Sequence, residues 1–238
     1  MTKLINIITK NIKGNKMKTI KKNLMAALTI VAMSFTTSSF ADGLLGLGED
    51  DLAGPYIGAK ISMNGIELDG SATNDGGEVT NGTMGSVFMA AGADAGWSLS
   101  VNDLFNIGIG ASLLPGSAKM KGDANSATDK DITLEVEDLY SAYIRPAYQL
   151  TDTSEIYAKV GLNYAEMSVT GNVVDPNSSI RGEMYAVGSR ILLDSGFFLE
   201  TEAGLHAFDK IEIIASSGGK ATADPNIAYG AITIGKSF

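Results

Sequence analysis

The chain has 238 residues, of which 18 are basic and 27 acidic, and its mean hydropathy is slightly positive at +0.11. It contains no cysteine, which excludes a disulfide framework and a thiolate metal site. The excess of acidic residues argues against a basic surface for binding nucleic acid.

Residues 1–41 have the pattern of a secretory signal peptide. Lys18, Lys21 and Lys22 precede an apolar run over residues 24–35, and the small-residue site Ser39-Phe40-Ala41 follows. The run is shorter than the ~20 residues that a spanning helix needs. We predict cleavage after Ala41 and no transmembrane helix in the mature chain. The leader takes seven lysines and no acidic residue, so the mature chain carries 11 basic and 27 acidic residues.

The mature chain is predicted to be a short lead-in followed by strands. Residues 42–53 are Gly-rich and acidic with no regular period, which predicts a flexible lead-in. Beyond them, runs with apolar residues at every second position alternate with stretches rich in Gly, Asn, Asp, Ser and Thr. A period of two predicts β-strands with one apolar and one polar face. We predict eight strands, at residues 56–64, 87–99, 105–113, 132–150, 156–164, 185–193, 197–207 and a run ending at Phe238. Long loops are predicted at residues 65–86, 115–131, 170–182 and 214–226.

The fourth strand, at residues 132–150, has the most regular pattern. Its even-numbered positions are apolar from Ile132 to Tyr148, except at Asp138, and most of its odd-numbered positions are polar. The run is much longer than the five or six residues of a common strand, whereas roughly nine to eleven tilted residues cross a bilayer. We therefore predict that Tyr140–Tyr148 crosses a membrane. Residues 132–138 are expected to extend beyond it with the same face apolar.

The predicted connections alternate between long and short, which is typical of bacterial outer-membrane barrels. Residues 54–238 are therefore predicted to be one all-β domain, an eight-stranded antiparallel up-and-down transmembrane β-barrel. With both ends of this domain in the periplasm, the aromatic residues of the apolar faces fall into two girdles. The periplasmic girdle would contain Trp97, Phe105, Tyr148, Phe197 and Phe238, and the extracellular girdle Tyr140, Tyr164 and Tyr185.

A soluble lipocalin-like barrel is the structural alternative, because alternation alone does not tell which face is inside. The charged residues favour the membrane barrel, since both signs occur at mid-strand, as expected for paired charges in a lumen. The predicted lumen charge network contains Lys60, Asp94, Arg145, Lys159, Arg190, Glu200 and Glu202, with His206 on the same face.

The chain resembles the eight-stranded outer-membrane β-barrel family of OmpA-like, OmpX-like and Opa-like porin-family domains. The segments that carry this resemblance are Gly54–Lys60 and Ile156–Ala165, together with the terminal Phe238. It implies location in the outer membrane of a Gram-negative cell, contact with outer-membrane lipid and lipopolysaccharide, and a monomer. It also implies that the barrel-assembly machinery reads the C-terminal strand with Phe238 as its signal, although Lys236 stands where an apolar residue is usual.

Two functions are compatible with this fold. An eight-stranded barrel is just wide enough for side chains to fill, so the lumen charges are expected to form a salt-bridge plug. The protein would then have a structural and surface-display role, contributing to envelope integrity and to recognition through extracellular loops. The alternative is a narrow porin-like channel for ions or small solutes, lined by the same charges.

We expect no enzymatic activity, no cofactor and no metal. His206 is the only histidine, and it points to the lumen by the alternation, whereas lipid A deacylases of this architecture need a nearby serine on the lipid-facing surface. Asp69-Gly70 and residues 74–78 offer oxygen ligands for Ca²⁺ but lack the EF-hand spacing. They are predicted to be an ordinary loop.

Overall fold

The computed structural model describes residues 52–73, 77–122, 132–170, 177–214 and 220–238. The predicted signal peptide and the lead-in up to residue 51 lie outside these ranges. The described chain forms one short 3-10 helix, Asp194–Gly196, and nine strands. The strands are β1 (Gly54–Thr73), β2 (Val79–Asn102), β3 (Phe105–Gly122), β4 (Ile132–Thr151), β5 (Ser154–Thr170), β6 (Asn177–Leu192), β7 (Phe197–Phe208), β8 (Ile211–Ile214) and β9 (Lys220–Ser237). No helix of the described ranges is long and apolar enough to cross a membrane.

Eight of these strands close into an antiparallel barrel. Neighbours pair in chain order from β1 to β7, β7 pairs with β9, and β9 pairs back with β1. The short β8 lies beside β9 beyond the end of β7, with Ile211 opposite Ala223, so it lengthens the wall. Both ends of the domain meet at one rim, where the Phe238 N–H donates to the Pro55 carbonyl at 3.0 Å. We call this rim the terminal end and the opposite rim the distal end. The prediction of an eight-stranded antiparallel barrel is confirmed.

The outer wall of the barrel is apolar. Side chains alternate between the two faces along every strand, and the apolar residues take the outward positions. Large hydrophobic side chains on this wall are more than half exposed, among them Ile61, Met63, Ile109, Leu162, Val187 and Ile234. A continuous apolar surface of this kind is unfavourable in water and is typical of strands that face lipid. The polar residues of the same strands point into the lumen.

The strands extend much further at the distal end than the sequence predicted. Residues 65–73 pair with residues 79–87, and strands also cover residues 115–122, 177–182 and 220–226. The prediction of long loops was wrong over these segments. Their Gly, Ser, Thr and Asn content is typical of loops, but the hydrogen bonds of a ladder are formed by the backbone and tolerate such side chains when neighbouring strands hold the chain extended.

The distal half opens from a barrel into two facing sheets. The pairing of β2 with β3 ends at Ala93 and Leu113, and that of β6 with β7 ends at Gly182 and Phe208. Beyond these points β8, β9, β1 and β2 form one sheet, while β3, β4, β5 and β6 form the other. Apolar side chains from both sheets form one buried cluster, which includes Leu68, Leu114, Val136, Met167, Ile180 and Ile227. The distal half is therefore packed like a sandwich.

A β-bulge at Asp138 reverses the faces of β4. Asp138 has a positive φ of 47°, and the pairing with β5 shifts between Glu137 and Tyr140. Leu134 and Val136 consequently point inward into the buried cluster, whereas Ile144 and Tyr148 point outward. The prediction that one continuous apolar face runs through this strand was wrong. The inserted residue changes the parity of the alternation.

Candidate functional site in the barrel lumen

The lumen toward the terminal end contains four cationic and four anionic side chains among the described residues. They come from six strands and are all at most 5 % exposed. Seven of them are the charged residues singled out in the sequence, Lys60, Asp94, Arg145, Lys159, Arg190, Glu200 and Glu202, and the eighth is Glu155. We call these eight residues the charge layer. Since the two signs balance, the layer carries no net formal charge.

Lys159 is the centre of the charge layer. Its Nζ lies 2.6 Å from Glu202 Oε2, 3.0 Å from Glu200 Oε1 and 3.5 Å from Asp94 Oδ2. Lys60 binds the other oxygen of Glu202 at 2.7 Å, so that carboxylate is shared by two ammonium groups. Buried charges are tolerated only when they are paired and hydrogen-bonded, and both conditions are met here.

Two arginines complete the charge layer. Arg190 donates from Nε and Nη2 to Glu200 Oε2 at 3.1 and 2.9 Å. Arg145 donates from Nη2 to Glu155 and lies 3.8 Å from Glu200. The guanidinium of Arg145 also stacks over the Tyr157 ring at 4.2 Å. Glu155 was missed from the sequence, although it has the inward parity of Lys159.

Inward-facing aromatic residues fill the space between the charges. The Tyr229 hydroxyl donates to Glu202 Oε1 at 2.7 Å, and the Tyr157 hydroxyl donates to Glu202 Oε2 at 3.2 Å. The Tyr143 hydroxyl donates to Asp94, and it lies 3.0 Å from the Tyr56 hydroxyl. Phe198 packs edge-on against Tyr56 with ring centroids 6.1 Å apart. None of these five residues was among those predicted to lie in the lumen, because the inner face was expected to be polar.

Each of these five rings has a glycine directly opposite it on a neighbouring strand. The pairs are Tyr56 with Gly96, Tyr143 with Gly110, Tyr157 with Gly188, Phe198 with Gly235 and Tyr229 with Gly204. A Cβ added at any of these glycines would come within 3.0 Å of the ring. The rings therefore pack against bare backbone on the neighbouring strand. The sequence shows the inward parity of each aromatic residue, and the register shows the glycine opposite it.

Replacing Gly110 by alanine is expected to destabilise the barrel by about 1–3 kcal/mol, because the new methyl group overlaps the Tyr143 ring. The measurement is the free energy of unfolding in urea in lipid or detergent. Gly230→Ala is the matched control, since a Cβ at that glycine meets no atom within 4 Å. Equal stability of the two variants would contradict the packing of rings over glycines.

A polar layer separates the charge layer from the apolar cluster. Asn163 Oδ1 accepts a hydrogen bond from the Ser141 hydroxyl at 2.9 Å and lies 2.9 Å from His206 Nδ1. The His206 ring stacks on Tyr229 with centroids 4.5 Å apart. An amide oxygen only accepts, so His206 carries its proton on Nδ1. Because Ser141 donates to Asn163 rather than to the histidine, this arrangement does not activate a nucleophile.

The residues predicted to form the two girdles lie on the outward parity of their strands. At the terminal end Phe105, Tyr148, Phe197 and Phe238 are 39–49 % exposed and Trp97 is half-buried. Phe105 and Tyr148 pack across β3 and β4 with centroids 5.1 Å apart. Toward the distal end Tyr185 is 47 % exposed and Tyr164 is half-buried.

Tyr140 differs from the expectation for a girdle residue that faces lipid. It is only 6 % exposed, although it sits opposite Tyr164 with ring centroids 6.2 Å apart. It follows the Asp138 bulge directly, where β3 and β4 are both irregular. Tyr140 is therefore not a lipid-exposed girdle residue.

No group of three or more His, Cys, Asp or Glu side chains in the described ranges is placed to hold a metal ion. Asp69 belongs to β1 and accepts a hydrogen bond from the Thr83 hydroxyl at 2.7 Å. It lies in a paired strand, and residues 74–76 lie outside the described chain.

Residues 27–236 match the sequence profile of the family described as "Outer membrane protein beta-barrel domain". The chain belongs to this family. Together with the closed barrel and its apolar outer wall, this membership places the protein in the outer membrane as an integral β-barrel. A comparison with curated protein sequences gives no match.

Several solved outer-membrane proteins have similar structures. OprG from Pseudomonas aeruginosa is 13 % identical, with a TM-score of 0.48 over 78 % of this chain and 97 % of its own. The protease OmpT from Escherichia coli is 9 % identical, with a TM-score of 0.41 over 78 % and 97 %. Ail, the attachment invasion locus protein of Yersinia pestis, is 11 % identical, with a TM-score of 0.37 over 73 % and 98 %.

Proposed function

We propose that this outer-membrane protein is a non-conducting, non-enzymatic wall protein with a structural and surface-display role. In this proposal both ends of the barrel domain are periplasmic, and the distal sandwich rises from the outer leaflet into the surroundings of the cell. The observation that carries it is the filling of the lumen by two different layers along its axis.

The charge layer obstructs the half of the lumen toward the terminal end. Its eight side chains are joined by ion pairs across the bore, from Lys60 on β1 to Glu202 on β7 and from Lys159 on β5 to Asp94 on β2. The five inward aromatic rings occupy space between them. An ion entering here would have to break several buried pairs, each of which is strongly coupled in a medium of low dielectric constant.

The apolar cluster obstructs the distal half. Its members are at most 9 % exposed and come from both sheets of the sandwich. Hydrated ions are excluded from such a region because the loss of their hydration is not compensated by polar groups. The two layers act in series, so opening one of them would not by itself create a pore.

The proposal includes the partners that the fold implies. The apolar outer wall would contact lipid and lipopolysaccharide, and the terminal strand β9 with Phe238 would be read by the barrel-assembly machinery. Within β9, Lys236 Nζ lies 5.4 Å from the Phe197 ring and 5.5 Å from the Phe238 ring, so the lysine can extend to the interface while its stem stays on the wall. We propose a monomer.

Purified protein in planar lipid bilayers is expected to give no reproducible conductance steps, because both layers exclude hydrated ions. The measurement is single-channel recording at neutral pH over a range of voltages. Protein recovered from the same preparation should migrate as a folded barrel on unheated gels, which shows that silence is not due to unfolding. Large and uniform steps would contradict the proposal and favour a narrow channel.

A further inference from the structure

The wall of the barrel has a seam between β2 and β3. We define the β2–β3 seam by the facing edges Val79–Gly92 of β2 and Leu114–Gly122 of β3. In the described chain, the ladder between these strands stops at Ala93 and Leu113, while β2 stays paired with β1 and β3 with β4. Pro115 has no N–H to donate, and Gly116 has a positive φ of 144°, so β3 bends at the point where the seam begins.

The seam begins within the apolar belt of the outer wall. On the β2 edge Val87 is 73 % exposed and Met89 is 68 % exposed. Met89 pairs with Met63 of β1, which is 59 % exposed, so the lipid-facing surface continues up to the edge of the opening. An open sheet edge is unfavourable in hydrocarbon, because its backbone groups have no water to bind. An amphiphile with hydrogen-bonding groups should therefore bind at this edge more favourably than a plain hydrocarbon does.

A small cavity lies behind the seam. It has a volume of about 20 Å³, and both edge strands line it through Phe88, Ala90, Leu114 and Gly116. Asn64 of β1 forms part of the same lining. Asn64 is 1 % exposed, and its Nδ2 donates to the Ser62 hydroxyl at 2.9 Å, but its Oδ1 has no hydrogen-bond partner. A buried acceptor left unpaired costs about 1–3 kcal/mol, so the cavity is suited to a group that donates a hydrogen bond.

We propose that the β2–β3 seam binds an amphiphile that has a hydrocarbon chain and a neutral O–H or N–H donor at its head. The donor enters the cavity and binds Asn64 Oδ1, while the chain lies in the lipid layer against Val87 and Met89. The cavity volume admits a hydroxyl or an amide N–H and excludes a bulky head group. This site lies outside the charge layer and uses none of its residues.

The chemistry of the lining selects donors over anions. Glu137 and Asp138 also line the cavity, so two acidic residues lie near the unpaired amide oxygen of Asn64. A phosphate or free carboxylate would be repelled, whereas a hydroxyl or amide N–H would be accepted. Such a donor is carried by a free long-chain alcohol and equally by a hydroxyacyl or amide-linked chain of an outer-leaflet lipid. In the proposed orientation the seam faces the outer leaflet, so a lipid of that leaflet would be the source of the donor. Binding of the donor to Asn64 does not depend on this orientation.

The test uses a long-chain alcohol carrying a photoreactive diazirine, with the alkane of the same length and diazirine as the comparison probe. The full protein is reconstituted in phosphatidylcholine nanodiscs, irradiated and mapped by mass spectrometry. The alcohol is expected to label residues 87–90 and 113–116 about fivefold more than the alkane does, as one hydrogen bond of about 1 kcal/mol implies. Equal labelling by both probes would overturn the proposal, because it would show only an apolar groove. Absence of labelling there would also overturn it and would leave a single water as the partner of Asn64.

Asn64→Ala is expected to reduce labelling by the alcohol to the level of the alkane. Ala90→Leu, which fills the cavity and leaves Asn64 in place, should give the same loss. The matched control is Ser98→Ala, which removes a different buried polar group without a partner, a hydroxyl in the charged half of the lumen. This variant should label like the unaltered protein. Loss of labelling only with Ser98→Ala would contradict the site.

Nanodiscs that contain lipopolysaccharide distinguish the two sources of the donor. Competition with the alcohol probe identifies an outer-leaflet lipid as the occupant, and lack of competition identifies a free amphiphile; either result supports the site. The labelling is measured independently of conductance. A conducting protein that is labelled would therefore reject the proposed wall function alone, and a silent protein without labelling would reject the seam site alone.

Discussion

Lys159→Met is expected to destabilise the folded barrel by about 3–5 kcal/mol, the usual cost of removing one partner from a buried ionic network. Lys159 is 1 % exposed, and its ammonium group contacts three carboxylates within 3.5 Å. Without it, Glu200 keeps Arg190 and Glu202 keeps Lys60. Asp94 keeps the hydrogen bond from the Tyr143 hydroxyl, but its one remaining ion pair is with Lys60 at 3.9 Å. The remaining network has a net negative charge in a space that water does not reach easily.

The measurement is urea unfolding of Lys159→Met and of the unaltered protein in the same lipid. Lys220→Met is the matched control, because Lys220 also pairs with a carboxylate, Glu212 at 2.7 Å, but both side chains are about half exposed. That exposed pair should contribute less than about 1 kcal/mol.

A double substitution shows whether the loss is electrostatic. Adding Glu202→Gln to Lys159→Met removes one of the unbalanced carboxylates. The double variant should therefore lose less unfolding free energy than the sum of the losses of the two single variants. A Lys159→Met variant within 1 kcal/mol of the unaltered protein would mean that water solvates these charges. The lumen would then be wet, and the channel alternative would be favoured over the plug.

The sequence was sufficient to predict the membrane-facing part of the barrel. In a barrel each strand has an inner and an outer face throughout its length, so a period of two gives both the number of strands and the side on which each residue lies. Lys60, Asp94 and Glu200 were assigned to the lumen on this basis, and the structure brings them into one network. Their pairing could not be predicted, because it depends on the register between strands that are distant in the chain.

The distal half could not be predicted, because the inner face changes its chemistry along the axis. On β1 the inward residues are Lys60, Ser62 and Asn64, and two positions later they become Ile66 and Leu68. The parity is unchanged, but the polar lumen gives way to an apolar core. A rule that equates apolar with outside holds only where lipid surrounds the wall. Beyond it, water surrounds the sheets and the apolar side chains turn inward, as in a soluble sandwich.

The bulge at Asp138 is where β4 changes between these two regimes. Below it the even-numbered positions face lipid, and above it they face the core. An uninterrupted strand would keep the even positions outside along its whole length, which would expose Leu134 and Val136 to water. One extra residue reverses the parity, and aspartate is among the residues that tolerate a positive φ. The polar residue that interrupts the apolar pattern in the sequence is therefore the residue that makes the pattern fit both environments.

Deletion of Asp138 is expected to unfold the distal part of the β3–β4 hairpin while the barrel below it stays folded. Without the extra residue the parity of residues 133–137 reverses, so Glu135 and Glu137 turn toward the apolar cluster and Leu134 and Val136 turn toward water. Burying two carboxylates without partners costs several kcal/mol each. Exposing Leu134 and Val136 to water removes about 1.5–3 kcal/mol of burial free energy for each side chain. Together these terms exceed what the hairpin can gain from its ladder.

Hydrogen exchange resolved by residue is the suitable measurement, since it separates local from global opening. In the deletion variant, amides of residues 117–120 and 133–137 should lose protection, whereas those of residues 105–113 and 141–149 should keep it. Asp138→Gly is the matched control, because glycine keeps both the extra residue and the positive φ, and its exchange should be close to that of the unaltered protein. If the deletion left the distal amides protected, the bulge would not set the faces of β4, and the inward apolar side chains of the distal half would need another explanation.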